Sequence, residues 1–133
     1  MVNNRLLHPQ EIETFYVIPT IRKYFAEALL KQGLKQKDIA AIFGVTSAAV
    51  SQYFSEKRAN EFDFSDDVLK EINKIASTVK DQQSYLMQTQ RILQFIRQSA
   101  TICKIHKLFS DVPNNCDPDI IGCRTHARAN VKF

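Results

Sequence analysis

The fold of this chain is decided by residues 36–55, which read QKDIAAIFGVTSAAVSQYFS. Apolar residues in both halves of this stretch recur three or four positions apart, which is the spacing of one helix face. Gly44 separates the halves and can take the left-handed backbone conformation that a tight turn needs. Ala40 supplies a small side chain where two steeply crossing helices approach each other. The stretch therefore predicts two short helices, 36–43 and about 46–58, joined by a turn.

The two predicted helices have an apolar side that would point inward and a polar side that would point outward. The expected inward set is Ile39, Phe43, Val45, Val50 and either Tyr53 or Phe54. The expected outward set is Lys37, Asp38, Thr46, Ser47, Ser51 and Gln52. One face of the pair is therefore expected to be buried and the other to be available for contacts.

This part of the chain resembles a known family. Residues 33–58, GLKQKDIAAIFGVTSAAVSQYFSEKR, are similar to the helix-turn-helix of lambda-repressor-like (Cro-type, XRE-like) transcriptional regulators. A longer similarity, to a group of small archaeal regulators with a cysteine-bearing C-terminal segment, runs from EIETFYVIPTIRKYFAEALLKQG to CKIHKLF. The last part, CDPDIIGCRTHARANVKF, departs from that group, because its cysteines are widely spaced and it ends in basic residues.

The resemblance implies that the second helix enters the major groove of DNA and presents its first turns to base edges. Thr46 is expected to cap that helix and to leave other amides near phosphate. Gln52 is the expected specificity residue, since a glutamine amide can form two hydrogen bonds with adenine. Basic residues beside the motif, including Lys35, would hold the sugar-phosphate backbone. The expected DNA-binding residues are Gln36, Lys37, Thr46, Ser47, Ala48, Ser51, Gln52, Lys57 and Arg58.

The remainder of the chain also has helical periodicity, so the predicted fold class is all-α. Apolar spacing predicts a helix over residues 9–33 that is interrupted at Pro19, because proline lacks an amide donor. Residues 61–64 alternate polar and aromatic side chains, which favours a short extended segment or a small wing. Ser65 is expected to cap the next helix, and a long helix is predicted over 84–109. The helix after Ser65 is expected to bury Val68, Ile72, Ile75 and Val79.

The predicted organisation has three parts: a helix-turn-helix domain at 1–62, a helical dimerisation segment at 63–110 and a candidate metal-binding tail at 103–133. Two long amphipathic helices have more apolar face than a small unit can cover, and a second copy would bury the surplus. We therefore expect a homodimer whose recognition helices lie about 34 Å apart on a pseudo-palindromic operator. The alternative is a monomer in which these helices pack on each other and on the first helix.

The cysteines of the chain lie in its last third and predict a metal site. Cys103 and His106 are three residues apart on a predicted helix and share a face, and Cys116 and Cys123 follow. The spacing C-x2-H-x9-C-x6-C can supply a Cys3His set for zinc, and three thiolates with another ligand can hold an iron-sulfur cluster. The family resemblance favours an iron-sulfur cluster that senses redox or iron state. His126 is an alternative fourth ligand, and apolar packing of Cys103 is the alternative to metal.

Composition narrows the class of protein. A chain of 133 residues with 44% hydrophobic and 24% charged residues is typical of one folded domain and not of a disordered chain. The net charge of +4 is compatible with a polyanionic partner.

No membrane span or secretory signal is visible, so a cytoplasmic location is expected. No motif of a known catalytic type is visible either, so no enzyme is expected. The alternatives are an antitoxin-like interaction protein and a metabolite-responsive regulator with structural zinc or no metal.

Overall fold

The computed structural model describes residues 6–55 and 62–123. Within these two ranges the regular structure is entirely helical, which confirms the all-α prediction. Residues 62–65 form an irregular segment and not a strand, so this part contains no wing, and the alternative of a short extended segment stays a prediction. The rings of Phe62 and Phe64 meet edge to face with centroids 5.4 Å apart, and Phe64 is buried. Their alternation in sequence therefore reflects ring packing against the helices.

The N-terminal helical run consists of α1 (Pro9–Ile12), a π-helical turn (Glu13–Val17) and α2 (Ile18–Lys31). The Ile18 amide donates to the Glu13 carbonyl, five residues back, which is the hydrogen bond of a π-helix. Pro19 follows this turn and has no amide to donate, so a widened turn before it accommodates the missing bond. The interruption predicted at Pro19 is thus a π-helical turn that ends at Val17, two residues before the proline.

α2 ends at Lys31, and Gly33 stops the helix as the sequence predicted. Gly33 has a φ of +100°, and the Leu34 amide closes the end of the helix by donating to the Leu29 carbonyl over 3.1 Å. The two short helices follow as α3 (Gln36–Phe43) and α4 (Ser47–Ser55). The bounds of α3 are those that the sequence predicted. The predicted continuation of α4 to residue 58 lies outside the described residues.

α5 (Asp66–Ala76) follows the irregular segment and buries the predicted stripe. Val68 and Ile72 are fully buried, and Ile75 and, just beyond the helix, Val79 are also buried. Ser65 occupies the position before the helix with an extended backbone, but its hydroxyl makes no capping hydrogen bond. The predicted side-chain cap is therefore wrong. The acidic residues Asp66 and Asp67 instead provide the negative charge that the helix dipole favours at this end.

The predicted long helix over 84–109 is wrong, because the structure divides it into α6 (Gln82–Gln98) and α7 (Thr101–Phe109). Ser99 has an extended backbone, with φ −95° and ψ 173°. Its hydroxyl donates to the Ile96 carbonyl over 3.0 Å and accepts from the Thr101 amide over 3.2 Å. These two bonds satisfy backbone groups at the break and let the chain turn. A short helix, α8 (Pro118–Ile121), follows.

An ion pair joins the end of α6 to the π-helical turn. Arg97 Nε lies 2.6 Å from Glu13 Oε2, and Arg97 Nη2 donates to Glu13 Oε1 over 2.9 Å. Glu13 is buried, with 7% of its surface exposed. The hydrogen bonds from Arg97 satisfy this carboxylate, and the same bonds raise the pKa of Arg97 above its ordinary value. The pair anchors α6 to the N-terminal helical run.

One cluster of buried apolar residues extends through the described helices, from Leu7 to Ile105. α2 packs on both α4 and α5, and α3 packs on α6, so packing continues across the predicted boundary at residues 62 and 63. The apolar stripes of α5 and α6 are buried within the chain. The homodimer prediction rested on a surplus of apolar face, and within residues 63–110 that surplus is reduced to a few exposed large side chains: Leu86, Met87 and Phe95 of α6 and Leu108 of α7. Within the described residues, no helix has the length and apolar character to cross a lipid bilayer.

Candidate nucleic-acid interface

The turn between α3 and α4 has the geometry that its sequence predicts. Gly44 has a φ of +70°, and the Val45 amide donates to the Ala40 carbonyl over 2.9 Å. This bond spans the end of α3 and reverses the chain. The Thr46 hydroxyl then accepts a hydrogen bond from the Ala49 amide over 3.1 Å, so the predicted cap at Thr46 is confirmed.

The inner face of the helical pair agrees with the sequence prediction at four positions and differs at one. Ile39 and Val50 are fully buried, and Phe43 and Tyr53 are 8% exposed. Val45 is 36% exposed, so its predicted inward position is wrong. It follows the left-handed glycine, where the chain leaves α3, and helical periodicity does not apply to a residue in the turn. Of the two aromatic alternatives, Tyr53 is buried, while Phe54 packs against the core only in part.

The outer face of α4 presents small and polar side chains. Ser47, Ala48, Ser51 and Gln52 are exposed, and Ala49 is half-buried. These residues lie on the first turns of the helix, with nothing bulky among them. The face can therefore approach another surface closely and offer hydroxyl and amide hydrogen bonds to it.

A side-chain hydrogen bond connects this face to the start of α3. The Ser51 hydroxyl donates to Gln36 Oε1 over 2.9 Å. The bond holds the Gln36 oxygen toward α4 and leaves both donors of the Gln36 amide available for a ligand. The sequence indicated both residues as separate contacts but did not predict the bond between them.

Basic side chains lie beside the outer face. Lys35 and Lys37, at the start of α3, are exposed as predicted. Lys57 and Arg58, also predicted to contact DNA, lie outside the described residues. Arg22 of α2 was not identified from the sequence; its guanidinium carbon lies 5.8 Å from the centroid of the Tyr53 ring on α4. That distance is within the range of a cation–π contact, so Arg22 adds a positive charge behind α4.

Comparison with protein families, curated proteins and solved structures found no match. The outer face of α4 combines exposed donors and acceptors on one helix, flanking positive charge and a rigid buried side. A combination of this kind suits a polyanionic surface that carries its own hydrogen-bonding pattern.

The predicted metal ligands lie apart from this face, in the C-terminal helices. Cys103 is half-buried against the core in α7, and Cys116 and Cys123 are half-buried on either side of α8. His106 Nε2 lies 2.6 Å from the Leu7 carbonyl oxygen, to which it donates a hydrogen bond. The Leu7 amide in turn donates to the Ser110 hydroxyl over 2.7 Å. His106 thus holds the start of the described chain against α7.

The predicted ligand set does not come together as a metal site in the described part of the chain. Over residues 6–55 and 62–123, no three His, Cys, Asp or Glu side chains are grouped closely enough to hold a metal ion. The ring nitrogen of His106 that faces Leu7 is occupied by a backbone carbonyl. The alternative ligand His126 lies outside the described residues. Zinc and an iron-sulfur cluster stay predictions from the sequence.

Proposed function

We propose that the outer face of α3 and α4 binds double-stranded DNA in a sequence-specific manner and that the protein is a transcriptional regulator. The observation that carries the proposal is the exposed polar row of Ser47, Ser51 and Gln52 on a helix whose opposite side is fixed by buried Val50 and Tyr53. A helix of this form fits the major groove, where each base pair presents a distinct set of donors and acceptors. Its rigid support keeps the row at one position relative to the rest of the chain.

Base readout would depend on the first turns of α4. Gln52 offers an amide that can donate to adenine N7 and accept from adenine N6. Ala48 is exposed and too small to hold the helix away from the bases, and its methyl group can contact a thymine methyl. Backbone amides at the start of α4, on the positive end of the helix dipole, favour a nearby phosphate.

Contacts to the DNA backbone would come from the start of α3. Lys35 and Lys37 supply positive charge there, and Gln36 supplies amide donors that its bond to Ser51 leaves free. Such contacts fix the position of the protein on the duplex and make affinity fall as salt rises. They carry no sequence information of their own.

The proposal includes a homodimer. A single short helix reads only a few base pairs, and a symmetric pair of helices about 34 Å apart would read two half-sites on one side of the duplex. The exposed Leu86 and Met87 on α6 are apolar side chains that a second copy could cover. A pseudo-palindromic site is therefore expected.

Selection from a pool of random DNA duplexes at moderate ionic strength tests the function. The expected result is an enriched site with two related half-sites. The variant Gln52→Ala should weaken binding to the enriched site by roughly 5- to 150-fold, the range expected for loss of one bidentate base contact, and should relax the preference at one position per half-site. Gln94→Ala is the matched control, since Gln94 is an exposed glutamine on α6.

Two outcomes would count against the proposal. Failure of the wild-type chain to enrich any site would remove sequence-specific DNA binding. Equal weakening of Gln52→Ala on all sequences would remove Gln52 from base readout. For comparison, Lys37→Ala should weaken all sequences similarly and reduce the dependence of affinity on salt.

A further inference from the structure

The first turn of α6 reaches across to the turn between α3 and α4. Gln82 Nε2 donates a hydrogen bond to the Ala41 carbonyl over 3.2 Å, although the two residues are 41 positions apart. The same amide lies so close to Gly44 that a Cβ placed there would be 3.3 Å from Nε2. Gln82 therefore touches both the last turn of α3 and the glycine that ends it.

An aromatic contact supports the same junction one turn along α6. The ring of Tyr85 stacks on the ring of Phe43 with centroids 4.2 Å apart and an angle of 13° between the planes. Tyr85 also meets Phe25 of α2 edge to face, with centroids 6.3 Å apart. Tyr85 is only 9% exposed, so this stack belongs to the core. Packing of the aromatic rings supplies the stability of the junction, while Gln82 acts at its exposed edge.

The position of α4 depends on this junction because only three residues separate Phe43, the last residue of α3, from the start of α4. The intervening backbone is held by the bond from the Val45 amide to the Ala40 carbonyl and by the Thr46 cap. A change in the direction of the last turn of α3 would therefore be passed on to α4. A bidentate hydrogen bond to a base tolerates a displacement of only about 0.5 Å, whereas a lysine contact to phosphate tolerates more.

We propose that Gln82 is a positioning residue for α4: its amide holds the Ala41 carbonyl and so sets the direction in which α4 presents Gln52. This inference rests on the proposed function and adds a residue of α6 to it. Gln82 itself is exposed and does not belong to the buried core. Its loss should consequently affect base discrimination far more than the stability of the fold, because an exposed carbonyl can bond to water instead.

The test compares Gln82→Met with Gln83→Met. Methionine keeps the approximate length and the unbranched stem of glutamine but cannot donate to the Ala41 carbonyl, and Gln83 is an exposed glutamine on the same turn. Affinity is measured for the site that the wild-type chain enriches and for an unrelated duplex. The expected result for Gln82→Met is roughly tenfold weaker binding to the enriched site, with unchanged binding to the unrelated duplex and an unchanged melting temperature. Gln83→Met should match the wild type in all three.

The outcomes separate this inference from the proposed function. If the wild type binds its site and Gln82→Met behaves like Gln83→Met, the positioning role is wrong. If Gln82→Met weakens both duplexes equally or lowers the melting temperature, Gln82 is a structural residue and the inference also fails. Backbone amide NMR shifts of residues 44–46 provide a readout without DNA: they should move in Gln82→Met and not in Gln83→Met. Unmoved shifts would overturn the inference even if the wild type enriched no site.

Discussion

Removal of Arg97 should destabilise the fold because it leaves a buried carboxylate without its partner. Glu13 has a side chain only 9% exposed and receives two hydrogen bonds from Arg97, at 2.6 and 2.9 Å. Breaking a buried ion pair at one partner typically costs about 3 to 5 kcal/mol. The Arg97 side chain is 34% exposed, so solvent screens part of the interaction and we expect about 2 to 3 kcal/mol.

The measurement is urea unfolding of Arg97→Met followed by far-UV circular dichroism, with the free energy of unfolding taken by linear extrapolation. Arg91→Met is the matched control, because Arg91 is an exposed arginine on the same helix. A double-mutant cycle with Glu13→Gln isolates the pairwise interaction, which we expect to be about 1 to 2 kcal/mol. A cycle value under about 0.5 kcal/mol would mean that the pair contributes no more than an exposed one, and the reasoning from burial would be refuted.

Two further predictions concern single residues close to the candidate interface. Gly44→Ala should cost about 1 to 2 kcal/mol of folding free energy, because φ is +70° and the added Cβ would press on Gln82. Gly44→Asn should cost less in the same unfolding experiment, since asparagine tolerates this backbone conformation better than alanine. Equal costs for the two variants would contradict the argument from φ. Asp81 accepts a hydrogen bond from the Ser84 amide at the start of α6, which lowers its pKa. Its contribution to stability is therefore present above the ordinary aspartate pKa and is lost as pH falls below about 4. The melting temperature of Asp81→Asn should accordingly be lower than that of the wild type near neutral pH, and the difference should shrink below about pH 4. A constant difference over this range would exclude the carboxylate as its source.

Features encoded by neighbouring residues could be predicted from the sequence. The bounds of α3, the end of α2 at Gly33, the turn at Gly44 and the cap at Thr46 all depend on a backbone angle or a side chain a few residues away. The exposed row of Ser47, Ser51 and Gln52 also followed from helical spacing alone. The local shape of the candidate interface was therefore largely predictable, while its DNA-binding function remains a proposal.

The predictions failed where residue type and spacing allow more than one local conformation. The break at Ser99 was not predicted because the apolar spacing of α6 continues into α7, and a serine can bond to the backbone either within a helix or at its end. Val45 was misplaced because its side chain follows the turn and not a helix face. Ser65 has a residue type that favours caps, but residue type does not decide whether the hydroxyl bonds to the helix.

The sequence by itself determined an all-helical chain in which a glycine turn joins two short helices with one apolar and one polar side, because periodicity and turn residues act over a few positions. Only the tertiary structure decided which distant residues support these two helices and hold α6 in place. Gln82 on the Ala41 carbonyl, Tyr85 on Phe43 and Arg97 on Glu13 join residues that are between 41 and 84 positions apart in the chain. The spacing of neighbouring residues does not predict such pairs, because they form only when the helices pack and bury a shared core.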